Sequence, residues 1–302
     1  MIRVKRLSDG SPSGPLAEGV WVDVESPTDA EIATLKERYP FNPLALEDAR
    51  EIGHWSRFER YPEHLFLILR TLEAPHRPKS RTERVSYFYF PQSQVLLTFR
   101  NEPVEYLEQE WNTFFPCSPI ELLRRLLDRG VDTFFDYVDN LSDRVEEMEE
   151  ESLPGDAQGL PRLVFEVRRE VLATRRLASQ AREALGHLER LPEIGPDAYL
   201  FRDLTDRMVR VYEGLDAARE SLAGALEVHL SAQNNKLNQV VQRLTVISTL
   251  FLPLTLWAGI YGTNVKLHEY TWPEPFGAIF LWGGLLVIGG SLAFWMKRQG
   301  WW

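Results

Sequence analysis

The sequence predicts an α/β cytoplasmic domain, a helical segment with a long stalk helix, and two C-terminal transmembrane helices. Three observations carry this prediction: short β-type runs in the first third of the chain, continuous helical patterning after it, and two long uncharged apolar stretches near the C-terminus. The chain has 302 residues, of which 44% are apolar and 26% are charged. This apolar content is enough to build a core, so disorder throughout is excluded.

Charge and cysteine content exclude several functional classes. The formal net charge is −10, whereas a nucleic-acid-binding protein is expected to carry a basic surface. The single cysteine, Cys117, excludes a disulfide framework and a thiolate-rich metal site. The sequence shows no nucleophile–base pair, glycine-rich phosphate loop or histidine/cysteine cluster. We therefore expect neither an enzyme nor an ATP-driven step.

Residues 1–118 are expected to form the α/β domain. Its β-type runs are short and separated by turn signals: Val20–Val24, which alternates, Leu65–Leu69, and the expected hairpin of Val85–Phe90 with Val95–Phe99. A helix is predicted over Asp29–Arg38, with Thr28 or Ser26 as its N-cap and Pro27 in its first turn.

Residues 119–195 are expected to form a helical hairpin whose two arms differ in charge. The stretch Asp132–Ser152 is acidic and Leu160–Leu191 is rich in arginine, and Leu153–Asp156 separates them. Two interpretations remain open here. The helices carry solvated faces that attract each other across the hairpin, or the acidic helix collects cations.

Residues 196–243 are predicted to be a stalk helix that continues into the membrane. No proline occurs between Pro196 and Pro253, and apolar residues recur at helical spacing. These apolar positions are Leu204, Met208, Val211, Leu215, Leu222 and Leu226. Continued through the first span, this helix would measure on the order of 90–100 Å and must pack along partners, which implies a bundle of subunits.

Two uncharged stretches predict the transmembrane helices, at 244–262 and 276–296. Each approaches the roughly 20 residues that a helix needs to cross a bilayer, although a pair of buried core helices is the alternative. Aromatic residues cluster at both ends of the pair, as in interfacial belts: Trp257, Tyr261 and Trp272 at one end, Trp295, Trp301 and Trp302 at the other.

Basic residues beside the spans predict their orientation in the cell membrane. Lys236 and Arg243 precede the first span, and Lys297 with Arg298 opens the tail 297–302. The connecting loop, 263–275, holds one lysine against Glu269 and Glu274. By the positive-inside rule both termini are cytoplasmic and the loop is external. No signal peptide is expected, because the first residues lead directly into a polar segment.

One face of the first span carries small and polar residues. Its positions are Asn238, Val241, Thr245, Ser248, Leu252, Thr255, Gly259 and Gly262, with Leu244 beside them. Small residues let helices approach closely, and hydroxyl groups can bond back to the backbone. The other interpretation is that this stripe lines a water-filled path, which requires an oligomer because two spans cannot enclose a pore.

The outer end of this span reads Ala258-Gly-Ile-Tyr-Gly-Thr-Asn264 and follows the segments Asn234–Asn238, Leu244–Ile247 and Phe251–Thr255. These residues closely resemble the CorA family of divalent-cation transporters, whose signature at this place is Tyr-Gly-Met-Asn. The segment Pro43–Asp48 resembles the family more loosely. The resemblance implies a cytoplasmic α/β domain, a stalk helix, two spans and a funnel-shaped homopentamer that conducts divalent cations, with lipid and its own copies as partners.

This sequence departs from the family pattern at two positions. Thr263 stands in place of the signature methionine, and Val241 stands where well-studied members carry a pore-narrowing methionine. Mg²⁺ is the favoured ion, but Zn²⁺, Co²⁺ and Ni²⁺ remain alternatives, because relatives with an altered signature include proteins assigned to zinc. His268 is a candidate zinc ligand, although a lone loop histidine is usually just a loop residue.

The resemblance assigns ion selectivity to Gly262, Thr263 and Asn264. The proposed pore has no carboxylate between Asn238 and Asn264. Because Mg²⁺ holds its waters tightly, a ring of Asn264 amide oxygens with Gly262 carbonyls suits a hydrated ion. Outside, Glu269 and Glu274 would raise the local cation concentration.

Two further expectations concern control of the pore. Val241 and Leu244 would form an apolar gate near the cytoplasmic boundary, with Asn238 at the inner exit, unless Leu244 packs against the second span. Asp203 resembles a regulatory inter-subunit metal ligand, with an ion pair to Arg207 one turn later as the alternative. A non-conducting, membrane-anchored metal sensor is the rival to transport.

Overall fold

A computed structural model gives the fold. It describes residues 1–14, 18–51, 53–73, 81–113, 116–152, 159–192, 194, 198–263, 272–273 and 275–301. The chain divides into two compact units, one comprising Met1–Ser152 with Gln158–Leu226 and one containing Glu227–Trp302. The sheet therefore shares the first unit with the helical residues that follow it as far as Leu226.

A six-stranded mixed sheet forms the centre of the first unit. Its strands are β1 (Ile2–Arg6), β2 (Val20–Glu25), β3 (Arg57–Arg60), β4 (Leu65–Leu72), β5 (Thr82–Phe90) and β6 (Val95–Arg100). Their order is β1-β2-β6-β5-β4-β3, and the pairs are antiparallel except for the parallel pair of β2 with β6. The predicted hairpin is confirmed, with Phe90 opposite Val95 in the register of β5 and β6.

Seven helices are described around and beyond this sheet. They are α1 (Asp29–Arg38), α2 (Pro43–Arg50), α3 (Glu105–Asn112), α4 (Pro119–Ser152), α5 (Leu160–Leu188), α6 (Ala198–Tyr261) and α7 (Phe276–Arg298). Helices α1 and α2 contribute to an apolar core with one face of the sheet, and α4 packs on β4, β5 and β6.

Strand β2 is buried on both faces, so the alternation in its sequence does not mean that one face is exposed to solvent. Its valines belong to the apolar core, while Trp21 and Asp23 are also fully buried. The Trp21 indole donates to Thr98 Oγ1 at 3.0 Å, and that hydroxyl donates to Asp23 at 2.7 Å. Arg100 completes the arrangement with an ion pair to Asp23 at 3.0 Å. Burial of this carboxylate is tolerated because its oxygens are hydrogen-bonded and its charge is paired.

The start of α1 matches the predicted cap but not the predicted place of the proline. Thr28 is the N-cap: its hydroxyl accepts from the Glu31 N–H at 3.3 Å, and the Glu31 carboxylate accepts from the Thr28 N–H at 2.8 Å. This is a capping box, which satisfies two backbone donors at once. Pro27 precedes the cap, so its prediction in the first turn is wrong. Ser26 has a positive φ of 41° and is not the cap.

The ion pair between α4 and α5 has its charges reversed from the prediction, in which α4 supplies the acidic residues and α5 the arginines. An ion pair of 3.1 Å links them, in which Arg144 comes from the acidic helix and Glu170 from the basic helix. The glutamates at 146, 147, 149, 150 and 151 are exposed. Among the described residues no group of three or more acidic, histidine or cysteine side chains could hold a metal ion.

Helix α6 confirms the prediction of one uninterrupted element. It has 64 residues, which corresponds to about 96 Å at 1.5 Å per residue. In the first unit its apolar stripe is buried, with Leu204, Met208 and Leu215 at most 1% exposed. Gly214 allows close approach to α4, because a Cβ there would lie 2.8 Å from Val138.

Candidate functional site

Two helices have the length and composition of membrane spans. An apolar window in α6 has a mean hydropathy of 1.6 and one in α7 a mean hydropathy of 1.9, and neither window is buried within the chain. A core helix of a soluble domain would be covered by other parts of the chain. The two apolar windows are therefore exposed to the surroundings of the chain, as expected for segments in lipid.

Helices α6 and α7 pack against each other through an indole ring and a glycine. A Cβ at Gly284 would lie 2.5 Å from Cζ2 of Trp257, so only glycine fits beneath this ring. The Trp257 N–H donates to the Leu281 carbonyl at 3.2 Å, which gives a polar group in an apolar setting its partner. The aromatic pattern predicts Trp257 in an interfacial belt and does not indicate its contact with Gly284; a glycine within an apolar helix is the signal that could have indicated this contact.

The face of α6 that approaches α7 differs from the face that carries the stripe. Partly buried positions recur at helical spacing: Val246, Leu250, Pro253, Leu254, Trp257 and Tyr261. The stripe lies roughly opposite them on a helix of 3.6 residues per turn. The described stripe positions are all exposed: Asn238, Val241, Thr245, Ser248, Leu252, Thr255, Gly259 and Gly262, and so is Leu244 beside them.

Stripe hydroxyls bond to the backbone of their own helix. Thr245 Oγ1 donates to the Val241 carbonyl at 2.8 Å, and Thr255 Oγ1 donates to the Phe251 carbonyl at 2.7 Å. A hydroxyl that donates its proton still has oxygen lone pairs to offer outward. The stripe thus presents acceptor oxygens to the outside of the chain, together with apolar side chains.

Val241 and Leu244 are uncovered within the chain. Their exposed fractions are 60% and 63%. Leu244 is therefore not covered by the second span of its own chain, and its place in a gate stays a prediction. Nearby, Gln242 Nε2 donates to the Trp301 carbonyl at 3.0 Å, which ties the C-terminal segment to α6 instead. Trp301 also lies 6.1 Å from Trp295 between ring centroids.

The outer end of α6 closes with hydrogen bonds to its last turns. Gly262 N–H donates to the Ala258 carbonyl at 3.0 Å, and Thr263 Oγ1 donates to the Ile260 carbonyl at 2.7 Å. Gly262 and Thr263 are exposed. Four further candidates lie outside the described residues: Asn264, His268, Glu269 and Glu274.

Asp203 is exposed on α6, and Arg207 bonds elsewhere. The guanidinium of Arg207 pairs with Asp128 and Asp132 of α4. Burial opposes its charge, but the hydrogen bond to Asp132 and the charges of Asp132, Asp128 and Asp203 outweigh this and raise the pKa of Arg207. The alternative, in which Asp203 forms an ion pair with Arg207, is therefore wrong, and no other ion pair involves Asp203 in the part of the chain described.

A soluble α/β unit, a helix running from it into a membrane segment and a second span define a two-span membrane protein. A model of the family described as CorA-like Mg²⁺ transporter protein matches residues 17–298. The chain belongs to this family. It is a membrane transporter of divalent metal cations.

Curated relatives cover most of the chain. YfjQ of Bacillus subtilis, which carries a provisional name as a metal ion transporter, is 27% identical over 93% of this chain and 89% of its own length. The cobalt/magnesium transport protein CorA of Thermotoga maritima is 25% identical over 88% of this chain and 78% of its own. The zinc transport protein ZntB of Pectobacterium carotovorum is 22% identical over 55% of this chain and 51% of its own.

A solved structure has the same fold. The complete structure of the CorA magnesium transporter from Methanocaldococcus jannaschii matches with a TM-score of 0.84 and 21% identity. The match covers 100% of this chain and 99% of that one, so the α/β unit, the long helix and both apolar helices all have counterparts.

Proposed function

We propose that this protein is a homopentameric channel that passes hydrated divalent cations, with Mg²⁺ as the principal ion. The first span of each copy, 244–262, would face the central axis. In this arrangement Thr245, Ser248, Thr255 and the backbone of Gly259 border the path. Neutral oxygens bind a hydrated ion weakly enough to release it to the next position.

The observation that carries this proposal is the division of α6 into two faces. One face packs on α7 through Trp257 and Leu254, while the stripe positions on the opposite face are exposed in the described part of the chain. Lipid alone would favour larger apolar side chains across such a face. Thr245, Ser248 and Thr255 suit a face that contacts water or packs closely on another helix. A ring of copies of the chain would provide a water-filled path and closely packed neighbouring helices.

At the outer mouth, Asn264 would provide a ring of amide oxygens above the Gly262 carbonyls and Thr263. Mg²⁺ prefers octahedral oxygen coordination and gives up its waters reluctantly. A neutral ring therefore suits recognition of the ion through its hydration shell. Glu269 and Glu274 would repeat around the mouth and concentrate cations there.

At the inner end, Val241 and Leu244 would form a gate of apolar rings that stops ions by excluding water. Their exposure in the single chain supports this role, because both side chains are available to face an axis. Asn238 would hold a hydrated ion just inside the gate. The membrane potential favours cation entry and would drive transport, with both termini in the cytoplasm.

Asp203 would bind a regulatory divalent cation between copies of the chain. It is exposed, and the arginine one turn later is occupied by α4. A cation shared between acidic subunits would relieve their mutual repulsion and favour a closed assembly. Closure that depends on internal cation to the same degree in Asp203→Ala as in the wild type would contradict this assignment.

Zinc transport is the second candidate, and the threonine at 263 is the residue that favours it. It replaces the methionine of the family signature, and the zinc protein ZntB is among the relatives. Thr263→Met should be tolerated and should shift selectivity toward Mg²⁺ if this position tunes the ion. An unchanged selectivity would remove the argument for zinc from this residue.

The test is ion flux in proteoliposomes that contain the purified full-length protein. Uptake of Mg²⁺, Zn²⁺, Co²⁺ and Ni²⁺ is compared at equal free concentrations with an imposed inside-negative potential. We expect flux of Mg²⁺ above the others. Higher Zn²⁺ flux would assign the chain to zinc, and no flux of any ion would leave a membrane-anchored metal sensor.

A further inference from the structure

A basic pocket lies in the first unit, away from the residues assigned to ion conduction. It is bordered by Arg70 of β4, Arg175 and Arg176 of α5, Trp55 before β3, and Tyr212 of α6. The cavity measures about 770 Å³, which is within the range of small-molecule sites. None of its described lining residues is acidic, although the chain as a whole carries a net charge of −10.

Aromatic rings hold these arginines in place. The guanidinium carbons of Arg70 and Arg176 lie 5.6 and 5.9 Å from the centroid of the Trp55 ring, and that of Arg175 lies 4.3 Å from the Tyr212 ring. Cation–π contacts attract the flat face of a guanidinium and leave its N–H groups at the edge free to donate. The rings therefore position the guanidinium groups without using the N–H donors of the arginines.

Two of the three guanidiniums lack an acidic partner. Arg175 forms an ion pair with Asp216 at 2.9 Å, whereas Arg70 and Arg176 meet no carboxylate in the described part of the chain. The Nε of Arg70 is buried without a hydrogen-bond partner, and so is the amide oxygen of Gln180 in the same lining. Unpartnered buried polar atoms are costly, so a ligand that satisfies them would be bound favourably.

Strand register adds to the uncompensated positive charge. Arg70 of β4 lies opposite Arg84 of β5, and like charges in such a pair repel. Arg84 donates to the backbone carbonyls of Asp48 and Ala49, so its positive charge is solvated by dipoles but is not neutralised. Burial and the neighbouring charge of Arg70 lower the pKa of Arg84.

We propose that this pocket binds an oligophosphate anion. Guanidinium groups match the oxygen geometry of phosphates, and two unneutralised arginines match a ligand with more than one charged phosphoryl group. Inorganic polyphosphates and nucleoside triphosphates share this chemistry. The free amide oxygen of Gln180 offers an acceptor that only the hydroxyl or amino groups of a nucleoside would use.

The experiment is calorimetric titration of the full-length protein in detergent micelles with sodium tripolyphosphate and, separately, with ATP. Buffer containing EDTA keeps divalent cations from competing for the phosphates. We expect saturable binding of one anion per chain. Arg176→Gln should weaken it about tenfold or more, because this exposed arginine contributes charge-assisted hydrogen bonds and no core packing.

The matched control is Arg168→Gln, which removes the same charge from an exposed position two turns earlier on α5. Its affinity should equal that of the wild type, and Arg70→Gln should repeat the loss seen at position 176. Tighter binding of ATP than of tripolyphosphate assigns the ligand to nucleotides, and equal binding assigns it to the phosphate chain, and both support the site. Absence of saturable binding by either anion, or an equal loss in Arg168→Gln, would overturn the proposal.

Discussion

The two parts of helix α6 differ in how far their apolar side chains are buried. Up to Leu226 the apolar stripe is covered by the first unit, and both Met208 and Leu215 have no exposed surface. Beyond Glu227 many of its apolar side chains are exposed, with Leu244 63% and Leu252 73% exposed. The apolar side chains of the first part are thus covered within a single chain, whereas many of those in the second part are left exposed to surroundings outside the chain.

This difference separates the part of α6 whose contacts form within one chain from the part that keeps an exposed face for other contacts. The first part is held by groups of its own chain, including the ion pairs of Arg207 with Asp128 and Asp132. In the second part, the contacts to α7 cover one face only. A substitution in the first part should therefore change the stability of the chain, and one in the stripe should change conduction.

The largest expected effect compares matched leucines in the two parts. Leu215→Ala should destabilise the first unit by about 3 kcal/mol, because it leaves a cavity in a fully packed site. Leu252→Ala removes the same atoms from an exposed position and should leave the unfolding midpoint within about 1 °C. Thermal unfolding of the purified full-length protein measures both. Similar shifts in the two variants would contradict the comparison.

The second prediction concerns ion flux at the outer mouth. Asn264→Ala should lower ion flux about tenfold or more while the oligomer stays intact, since it removes a ring of ion-contacting oxygens and no packing group. Flux in proteoliposomes, with size-exclusion chromatography as the check on assembly, measures this. Asn235→Ala, on an exposed position of α6 off the stripe, is the control and should conduct normally. Normal flux in Asn264→Ala would refute its role.

A smaller effect is expected at the gate. Leu244→Ser should keep the oligomer and raise flux several-fold when internal divalent cation is high, because a polar ring no longer excludes water. Val241→Ser should act in the same direction but less strongly, since valine reaches less far toward an axis. Reduced assembly together with reduced flux in Leu244→Ser would show that this leucine packs between helices.

The smallest effect concerns the pH dependence of the first unit. Burial, then repulsion by Glu73, Glu105 and Glu102, raises the pKa of Glu83 from 4.5 to about 7. Between these values the folded unit holds a proton that the unfolded chain releases, so stability falls as pH rises toward 7 and stays lower above it.

Glu83→Gln removes this titration. It should raise the unfolding midpoint by about 2–4 °C at pH 8, equivalent to about 1 kcal/mol after allowance for solvent screening, and by little at pH 4.5. Glu63→Gln, on an exposed residue, is the control and should have the same effect at both pH values. An equal gain for Glu83→Gln at pH 4.5 and pH 8 would contradict the raised pKa.

Much of the fold could be predicted because its signals are local. Uncharged stretches predicted both spans, and the lack of proline between Pro196 and Pro253, with apolar residues at helical spacing, predicted that α6 is continuous into the first span. Strands β1 and β3 escaped prediction because their sequences, Ile2–Arg6 and Arg57–Arg60, are charged, as edge strands can be. The buried group of Asp23 with Arg100 was missed because its members lie far apart in sequence.

In the candidate site, too, features set by local spacing could be predicted, whereas contacts between separate helices could not. Helical spacing places the stripe from Asn238 to Gly262 on one face without knowledge of the fold. The partner of Arg207 could not be predicted, because Asp128 and Asp132 approach it from another helix and helical spacing pointed to Asp203 instead. The fit of Gly284 beneath Trp257 likewise depends on how two separate helices pack.

The most direct test of the central claim is cysteine accessibility in the stripe. Cys117→Ser gives a cysteine-free background, in which Ser248→Cys places a thiol on the stripe and Val287→Cys places one on the exposed surface of α7. Both variants are treated with a charged, membrane-impermeant thiol reagent in proteoliposomes while Mg²⁺ flux is recorded. We predict that flux through Ser248→Cys is blocked and flux through Val287→Cys is unchanged. Block of Val287→Cys alone, or no effect on either, would contradict a conduction path along this face of α6.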